Sequence, residues 1–274
     1  MFYFCYLSFL KVPKNLEIKS SDLNAYLSSI EIAIRNLWKP PVLDYYTDHG
    51  IEHSERVIDN LNKLLEGHSD ILNDYERFIL LASAYLHDLG MQAPSYAGID
   101  RPNGDYTIED KETIREKHNE ISAEIIKNSV SGEPIIMYNN KKLRLGFELC
   151  PEYARFVAQV SKYHRFLNLT TLDDSSISGE NLKLTLLAAL LRLGDELDAD
   201  HRRVNLEILK LREIPLKSKL HWWGHYYVQS VSIEGGRIKL YFRFPEMYKN
   251  EDGVTALFRE RTCSSIKSQL DEVN

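Results

Sequence analysis

The most informative stretch of the chain is SAYLHDLG, residues 83–90, in which His87 and Asp88 follow an apolar run. Imidazole and carboxylate groups both bind divalent metal ions, so this adjacent pair can supply ligands to two ions at once. A His-Asp dipeptide is also a short motif that arises easily by chance. Its meaning therefore depends on whether further histidines and carboxylates occur at suitable places elsewhere in the chain.

The composition describes an ordinary globular protein. With 274 residues, 43% of them hydrophobic, the chain can bury a sizeable core. Its net charge of −6, with acidic and basic residues interspersed, argues against general nucleic-acid binding and against adhesion to membranes. Cys5, Cys150 and Cys263 are far apart and form no CxxC pair, so we expect neither disulfides nor a thiolate zinc site, and a cytoplasmic location.

The first ten residues are apolar and aromatic, but they lack the basic start and the cleavage site of a signal peptide. We expect a buried or frayed segment there, with a misplaced start codon as the alternative. No other apolar run reaches the roughly 18 residues that a membrane-spanning helix needs.

Several segments repeat apolar residues every three to four positions, which predicts amphipathic helices. These segments are 22–38, 51–65, 74–89, 111–128, 152–164 and 181–194. Pro40 and Pro41 would end the first helix, and Gly90 would stop the third. The last segment is apolar on all sides, which is typical of a central buried helix. Loops are expected between the helices, and the one at 91–110 is long enough for an active-site lid.

The pattern changes after about residue 203. Residues 226–233 and 238–244 are rich in β-branched and aromatic residues, and the Gly235-Gly236 pair between them predicts a β-hairpin. A terminal helix over 254–270 could cover one face of it. The expected fold is therefore mainly α, with a small C-terminal antiparallel sheet and a terminal helix.

Six candidate metal ligands lie at the ends or on the faces of five predicted helices. They are His53, His87, Asp88, His118, His164 and Asp195. A site built from nitrogen and oxygen ligands requires neutral imidazoles and carboxylates brought together from separate elements. The pattern therefore indicates a metal site inside the helical body.

The order His, His-Asp, His, His, Asp resembles the HD-domain superfamily of metal-dependent phosphohydrolases. The resemblance covers about residues 44–200 and rests on five short motifs. These are HSERV at 53–57, LHDLG at 86–90, KHNE at 117–120, KYHR at 162–165 and RLGDELD at 192–198. It implies an HD-domain helical bundle. The sequence TDHGIEHS at 47–54 is most similar to that of bacterial HD domains that precede GHKL-type ATPase regions.

The resemblance also implies ligand roles. One divalent ion would be held by His53, His87, Asp88 and Asp195, and Asp88 would bridge to a second ion held by His118 and His164. Manganese, iron, cobalt, nickel and zinc suit such ligands, with magnesium as a further candidate. The alternative is a single ion, with His118 and His164 binding substrate. As the bridge, Asp88 is expected to be essential for catalysis.

His49 lies four residues before His53, which resembles the cyclic-nucleotide phosphodiesterase branch, where a histidine at that spacing protonates the leaving oxygen. His49 is therefore the candidate general acid. The glycine-tyrosine-proline motif of cyclic-dinucleotide phosphodiesterases does not follow His164, which argues against that substrate.

Basic residues beside the ligands are candidates for binding phosphate, with solvated helix faces as the alternative. They are Arg165, Lys162, Arg56 and Lys117, of which Arg165 suits bidentate contact best. Asp198 could orient a ligand histidine. The pairs Trp222-Trp223 and Tyr226-Tyr227 are expected to pack beside the hairpin rather than stack on a base.

The remaining histidines outside the motif are expected on the surface or in the sheet. They are His68, His201, His221 and His225.

The expected domains are an N-terminal helical extension (1–43), an HD domain (44–203) and an α+β appendage packed on it (204–274). The function hypothesis is a phosphohydrolase with a binuclear centre, acting on a nucleotide or another phosphate ester. The rival is a regulatory or nucleotide-binding HD module of a bacterial signalling or conflict system. Expected partners are the phosphorylated small molecule and either an ATPase domain or a second copy of the chain.

Overall fold

The computed structural model describes residues 13–35, 37–38, 41–44, 46–47, 49–101, 104–165, 167–211, 214–248 and 252–273. Residues 1–10, for which a buried or frayed segment is expected, lie outside these ranges, and so do Cys5 and Pro40. The described residues are mainly α-helical, with three small antiparallel hairpins, so the expected fold class is confirmed. No helix among them has the length and apolar character needed to cross a membrane.

The N-terminal half contains four helices. They are α1 (Ser21–Ile34), α2 (Ile51–Leu64), α3 (Asp74–Leu86) and α4 (Ile108–Asn128). Side chains fix three of their starts: the Ser20 hydroxyl accepts a hydrogen bond from a backbone N–H of α1, and capping boxes begin α3 and α4. Helix α1 ends four residues before Trp38, although Leu37 and Trp38 are buried and continue its apolar pattern.

Two minimal hairpin strands, β1 (Ile135–Ile136) and β2 (Lys142–Leu143), precede α5 (Pro151–Lys162). A second hairpin, β3 (Ser175–Ile177) and β4 (Glu180–Leu182), leads into α6 (Leu184–Glu196). Helix α6 packs against α2, α3 and α5 on the bundle side and against the C-terminal helix on the other. It is the central helix that its apolar sequence predicted.

The C-terminal part contains α7 (Leu206–Leu211), α8 (Leu216–Tyr227), the hairpin β5 (Val228–Glu234) with β6 (Arg237–Phe242), and α9 (Asp252–Val273). The predicted hairpin is confirmed, and its two turn glycines both have positive φ. It starts later than expected because Tyr226 and Tyr227 end α8. Neither α7 nor α8 was predicted.

Helix α9 covers one face of the hairpin, as expected. Ile266 and Leu270 of α9 pack with Val231 and Ile233 of β5. The same cluster includes Leu193 of α6, so the hairpin, the terminal helix and the bundle share apolar contacts. The packing expected for the aromatic pairs is also present. Trp222 is buried in a small core with Leu209 and Ile214, and Tyr227 contacts Phe258 of α9.

Helix α3 ends earlier than its sequence suggested. It stops at Leu86, so that His87 caps the helix and Asp88 begins a short 3-10 turn, Leu89–Gln92. Residues 91–94 are buried, so the prediction of an unstructured loop over 91–110 is wrong for this part. The expected lid therefore does not begin at Met91.

Gly90 lies inside this turn, so the prediction that it stops α3 is also wrong. A Cβ atom there would lie 2.3 Å from the carbonyl oxygen of His118 in α4. The Gly90 N–H donates to the Ser122 hydroxyl at 2.8 Å, and that hydroxyl donates to the His87 carbonyl at 2.7 Å. Glycine is therefore required by the close approach of the turn to α4, rather than by helix termination.

We predict that Gly90→Ala lowers the free energy of unfolding by about 1–3 kcal/mol, the usual cost of inserting a methyl group into a packed core. The control is Gly253→Ala, because no atom lies within 4 Å of a Cβ added there. Denaturant unfolding of both variants checks the prediction. Equal free energies of unfolding would contradict it.

Candidate metal centre

The six predicted ligands come together around Asp88, whose two carboxylate oxygens face different groups of side chains. On one side lie His53 and His87, whose Nε2 atoms are 3.3 Å apart. Asp88 Oδ2 is 3.6 Å from His53 Nε2 and 3.4 Å from His87 Nε2. Asp195 Oδ1 completes this group, 3.2 Å from His53 Nε2 and 3.9 Å from His87 Nε2.

On the other side lie His118 and His164, whose Nε2 atoms are 3.1 Å apart. Asp88 Oδ1 is 3.1 Å from His118 Nε2 and 3.8 Å from His164 Nε2. Five elements converge here: α2, the end of α3, α4, the segment after α5, and α6. Five of the six side chains are buried, and Asp195 is partly exposed.

Each of the four histidines has an oxygen acceptor at its outward nitrogen. His53 Nδ1 is 2.6 Å from Asp198 Oδ2, the residue suggested as an orienting partner. The other three have the backbone carbonyl three residues earlier as the partner of Nδ1: His87 that of Ala84, His118 that of Arg115, and His164 that of Ser161. With Nδ1 donating to that oxygen, Nε2 is the nitrogen that faces Asp88, and it can bind a metal ion in place of its proton.

The distances fit divalent metal ions. Ligand atoms about 2.0–2.2 Å from one ion, at octahedral or tetrahedral angles, lie about 2.8–3.6 Å apart. The two groups show separations of 3.1–3.9 Å, only slightly wider. The cluster can therefore hold metal ions, and three overlapping groups of its side chains could each do so: His49, His53 and Asp88; His53, His87 and Asp195; and His87, Asp88 and His164.

The electrostatics point the same way. Burial would raise the pKa of Asp88, but His87 and His49 hold it well below its usual range. Burial lowers the pKa of His87, and the Asp88 carboxylate more than offsets this, so that the pKa of His87 rises to about 9. The pKa of His164 is well below its usual value, chiefly because of burial. Two ionised carboxylates, the buried Asp88 and the partly exposed Asp195, thus attract positive charge to this position.

His49 lies beside the centre but not on helix α2, which begins at Ile51 after Gly50. Its Nδ1 is 2.8 Å from Asp88 Oδ2 and 3.2 Å from a guanidinium nitrogen of Arg203. Burial lowers the pKa of His49 to about 4, although Asp88 opposes the shift. At neutral pH the free side chain is therefore uncharged.

The four predicted phosphate-binding residues are placed differently. Arg165 lines the cavity at the centre and donates to the Arg115 carbonyl at 2.8 Å. Arg56 pairs with Asp198 at 2.8 Å, behind His53. Lys162 lies 3.9 Å from Glu120, Lys117 is exposed, and neither contributes to the walls of the cavity.

His221 and His225 were expected on the surface or in the sheet, and this expectation is wrong. Both lie on α8 and line the cavity at the metal centre, and His225 is buried. Their spacing of four residues would have placed them on one helical face, but the aromatic sequence around them was interpreted as the approach to a strand. His68 and His201 are exposed, as expected.

Two neighbouring cavities lie at and beside the candidate ligands. The smaller, 240 Å³, is lined by Asp88, Asp195, His118, His164 and Arg165 together with residues of α8 and α9. The larger, 740 Å³, is lined mainly by residues 38–56 and 202–208, with Trp222 at one side. His49, Met91 and Arg203 belong to the walls of both. The two cavities are therefore adjacent.

Comparison with known proteins gives one result. No curated protein and no solved structure matches the chain. The model of the family HD-CE matches residues 43–272, which include all six candidate ligands as well as helices α8 and α9. The chain belongs to the HD-CE family, a family of HD-like domains.

Proposed function

We propose that this protein is a metal-dependent phosphohydrolase with two divalent ions, acting on a nucleotide or another phosphate ester. One observation carries the proposal: four buried histidines direct Nε2 at the two oxygens of one carboxylate. His53, His87, Asp88 and Asp195 would hold one ion, and Asp88, His118 and His164 the other. Two such ions orient a phosphate group, lower the pKa of a water molecule and stabilise charge on the attacking and leaving oxygens.

The side chains of the protein supply the remaining functions. Arg165 lies next to the ligands, and its guanidinium suits contact with a phosphate oxygen. The organic part of the ester would lie in the 740 Å³ cavity, a volume within the range of roughly 300–1,000 Å³ for small-molecule pockets. A cytoplasmic location and a partner, either an ATPase domain or a second copy, remain predictions.

His49 is the proposed general acid, placed to give a proton to the leaving oxygen. Its pKa of about 4 means that the free side chain holds no positive charge at pH 7. A bound phosphate brings negative charge next to the ring and raises this pKa, because an anion favours the protonated imidazole. Protonation of His49 would thus accompany substrate binding.

The first prediction from this proposal concerns Asp88→Asn. We expect the variant to lose bound metal and more than about a hundredfold in hydrolysis, since even the loss of an outer hydrogen-bond partner of a ligand costs about 10–100-fold. Elemental analysis and hydrolysis of bis(p-nitrophenyl) phosphate with manganese measure both effects. Asp70→Asn, at an exposed aspartate, is the control.

The outcome separates the two function hypotheses. Asp88-dependent hydrolysis supports the enzyme. A wild-type protein that binds nucleotides but hydrolyses neither nucleotides nor model esters would contradict the proposal and support the regulatory module.

A second prediction concerns Asp198→Asn. The amide keeps the size of the side chain but loses the charge that holds both His53 Nδ1 and Arg56. We expect metal affinity to fall about 10–100-fold. Asp200→Asn is the matched control, because Asp200 is a buried aspartate paired with an arginine, Arg202. Metal titration would refute the prediction if both variants lost affinity equally.

A third prediction tests His49 as the general acid. His49→Gln should retain its metal and hydrolyse p-nitrophenyl phosphate at nearly the wild-type rate, because this leaving group departs without a proton. Hydrolysis of phenyl phosphate should fall about 10²–10⁴-fold, the usual contribution of general acid catalysis. His68→Gln, at an exposed histidine, is the control. Equal rate losses on both esters would exclude the role.

A further inference from the structure

His221 and His225 form a pair that the proposed metal centre does not use. They are one turn apart on α8, and their Nε2 atoms are 3.0 Å apart. The rings meet edge to face, with centroids separated by 4.4 Å. Both side chains line the 240 Å³ cavity, together with the proposed ligands His118, His164 and Asp195. This pair therefore faces the same space as the metal centre.

The charges around the pair disfavour a third cation. Burial lowers the pKa of His221, and the charges of His225, Arg203, Arg115 and His49 lower it further. No carboxylate or cysteine among the described residues joins the two histidines in a group that could hold a metal ion. A site with basic neighbours and no acidic ligand suits an anion instead.

Arg115 strengthens this interpretation. Its guanidinium lies over the Tyr46 ring at 5.1 Å, and its buried Nε has no hydrogen-bond partner among the described residues. The ion pairs found among those residues include no carboxylate for Arg115. Buried polar atoms are nearly always hydrogen-bonded, and Arg115 lines the cavity, so its guanidinium is available to donate to an anion bound there.

Carboxylates lie near this wall as well as in the cavity. Asp198 is 3.7 Å from Arg203, and Glu112 and Glu116 line a separate 160 Å³ cavity together with Arg115 and His221. Asp88 and Asp195 face the proposed metal ions, which would neutralise them. Glu196 is the further carboxylate in the lining, where Ser265 hydrogen-bonds to it. At 240 Å³ the cavity is below the size usual for a whole organic ligand, but it suits small polar groups.

We propose that His221, His225, Arg115 and Arg203 bind a second phosphoryl group of the substrate, beyond the one held at the metal centre. The substrate class is then a compound with two phosphoryl groups close together, such as a diphosphate or triphosphate ester. This inference rests on the proposed function for the position of the first phosphate. Its organic part would continue past Arg203 into the larger cavity, because Arg203 belongs to both walls.

The two residue types contribute different interactions. Burial, the largest cause, lowers the pKa of His225 to about 3, and the pKa of His221 is also well below its usual value. Both imidazoles are therefore neutral at pH 7, and because the two Nε2 atoms lie within hydrogen-bond distance of each other, the pair keeps one N–H donor for a ligand. The positive charge of the wall comes from the guanidinium groups of the two arginines.

The test compares the binding of two non-hydrolysable anions to the manganese-loaded protein by calorimetry. Methylenediphosphonate presents two phosphoryl groups and methylphosphonate presents one. For a His221→Gln, His225→Gln double variant, we expect diphosphonate affinity to fall about tenfold and methylphosphonate affinity to change less than about twofold, the difference expected from losing hydrogen bonds to a charged group. His68→Gln is the control.

Metal content and thermal unfolding of each variant are measured alongside, before and after titration. If the double variant does not fold, Arg115→Gln replaces it with the same expected pattern, since Arg115 is only partly buried. Equal weakening of both anions, or no weakening of either, would overturn the inference.

The two proposals fail in different ways. A wild-type protein that hydrolyses no phosphate ester, but binds the diphosphonate through His221 and His225, would refute the proposed function and leave the second anion site in place. A protein that hydrolyses esters in an Asp88-dependent manner and binds the two phosphonates equally well would refute the second site alone.

Discussion

The shared carboxylate of Asp88 is the constraint on which the rest of the site depends. A buried, ionised carboxylate is costly unless opposite charge or hydrogen-bond donors surround it on every side. Here both oxygens are enclosed by histidine nitrogens, with His49 as a further contact. The surrounding elements must therefore each place their side chains at a fixed point. A small shift of any of them would leave the charge of Asp88 without compensation.

Helix ends make this placement of side chains possible. The last carbonyls of an α-helix have no partner within the helix, and His87 and His164 both follow a helix end at which such a carbonyl accepts from Nδ1. The early end of α3 at Leu86 thus has a chemical consequence, because it directs His87 and Asp88 into the centre instead of continuing the helix. Ser122 and Gly90 then hold the following turn against α4, which carries His118.

Much of this arrangement could be predicted from the sequence. The periodic helices and the Gly-Gly hairpin follow local rules, and the six ligands follow an ordered motif. The end of α3 could not be predicted because Leu89 continues its apolar spacing, and Gly90 is explained only by the position of α4. Lys162 and Lys117 are adjacent to ligands in sequence, but a side chain one position away on a helix points in a different direction, so sequence proximity did not place them at the cavity.

His221 and His225 were not predicted as part of the site, because the aromatic sequence around them was interpreted as the approach to a strand. Their position changes how the C-terminal part should be regarded. Residues 204–274 differ in pattern from the helical body, which motivated the prediction of a small α+β appendage packed on the HD domain. Yet α8 supplies two histidines, and α9 supplies Ser265 and Gln269, to the cavity that also contains Asp88. Arg192 of α6 forms an ion pair with Glu272 of α9. The HD-CE match extends to residue 272, across both parts. Side chains from both parts line the cavity, so the candidate site is built from the two parts together. The change of sequence pattern near residue 203 marks a change of secondary structure.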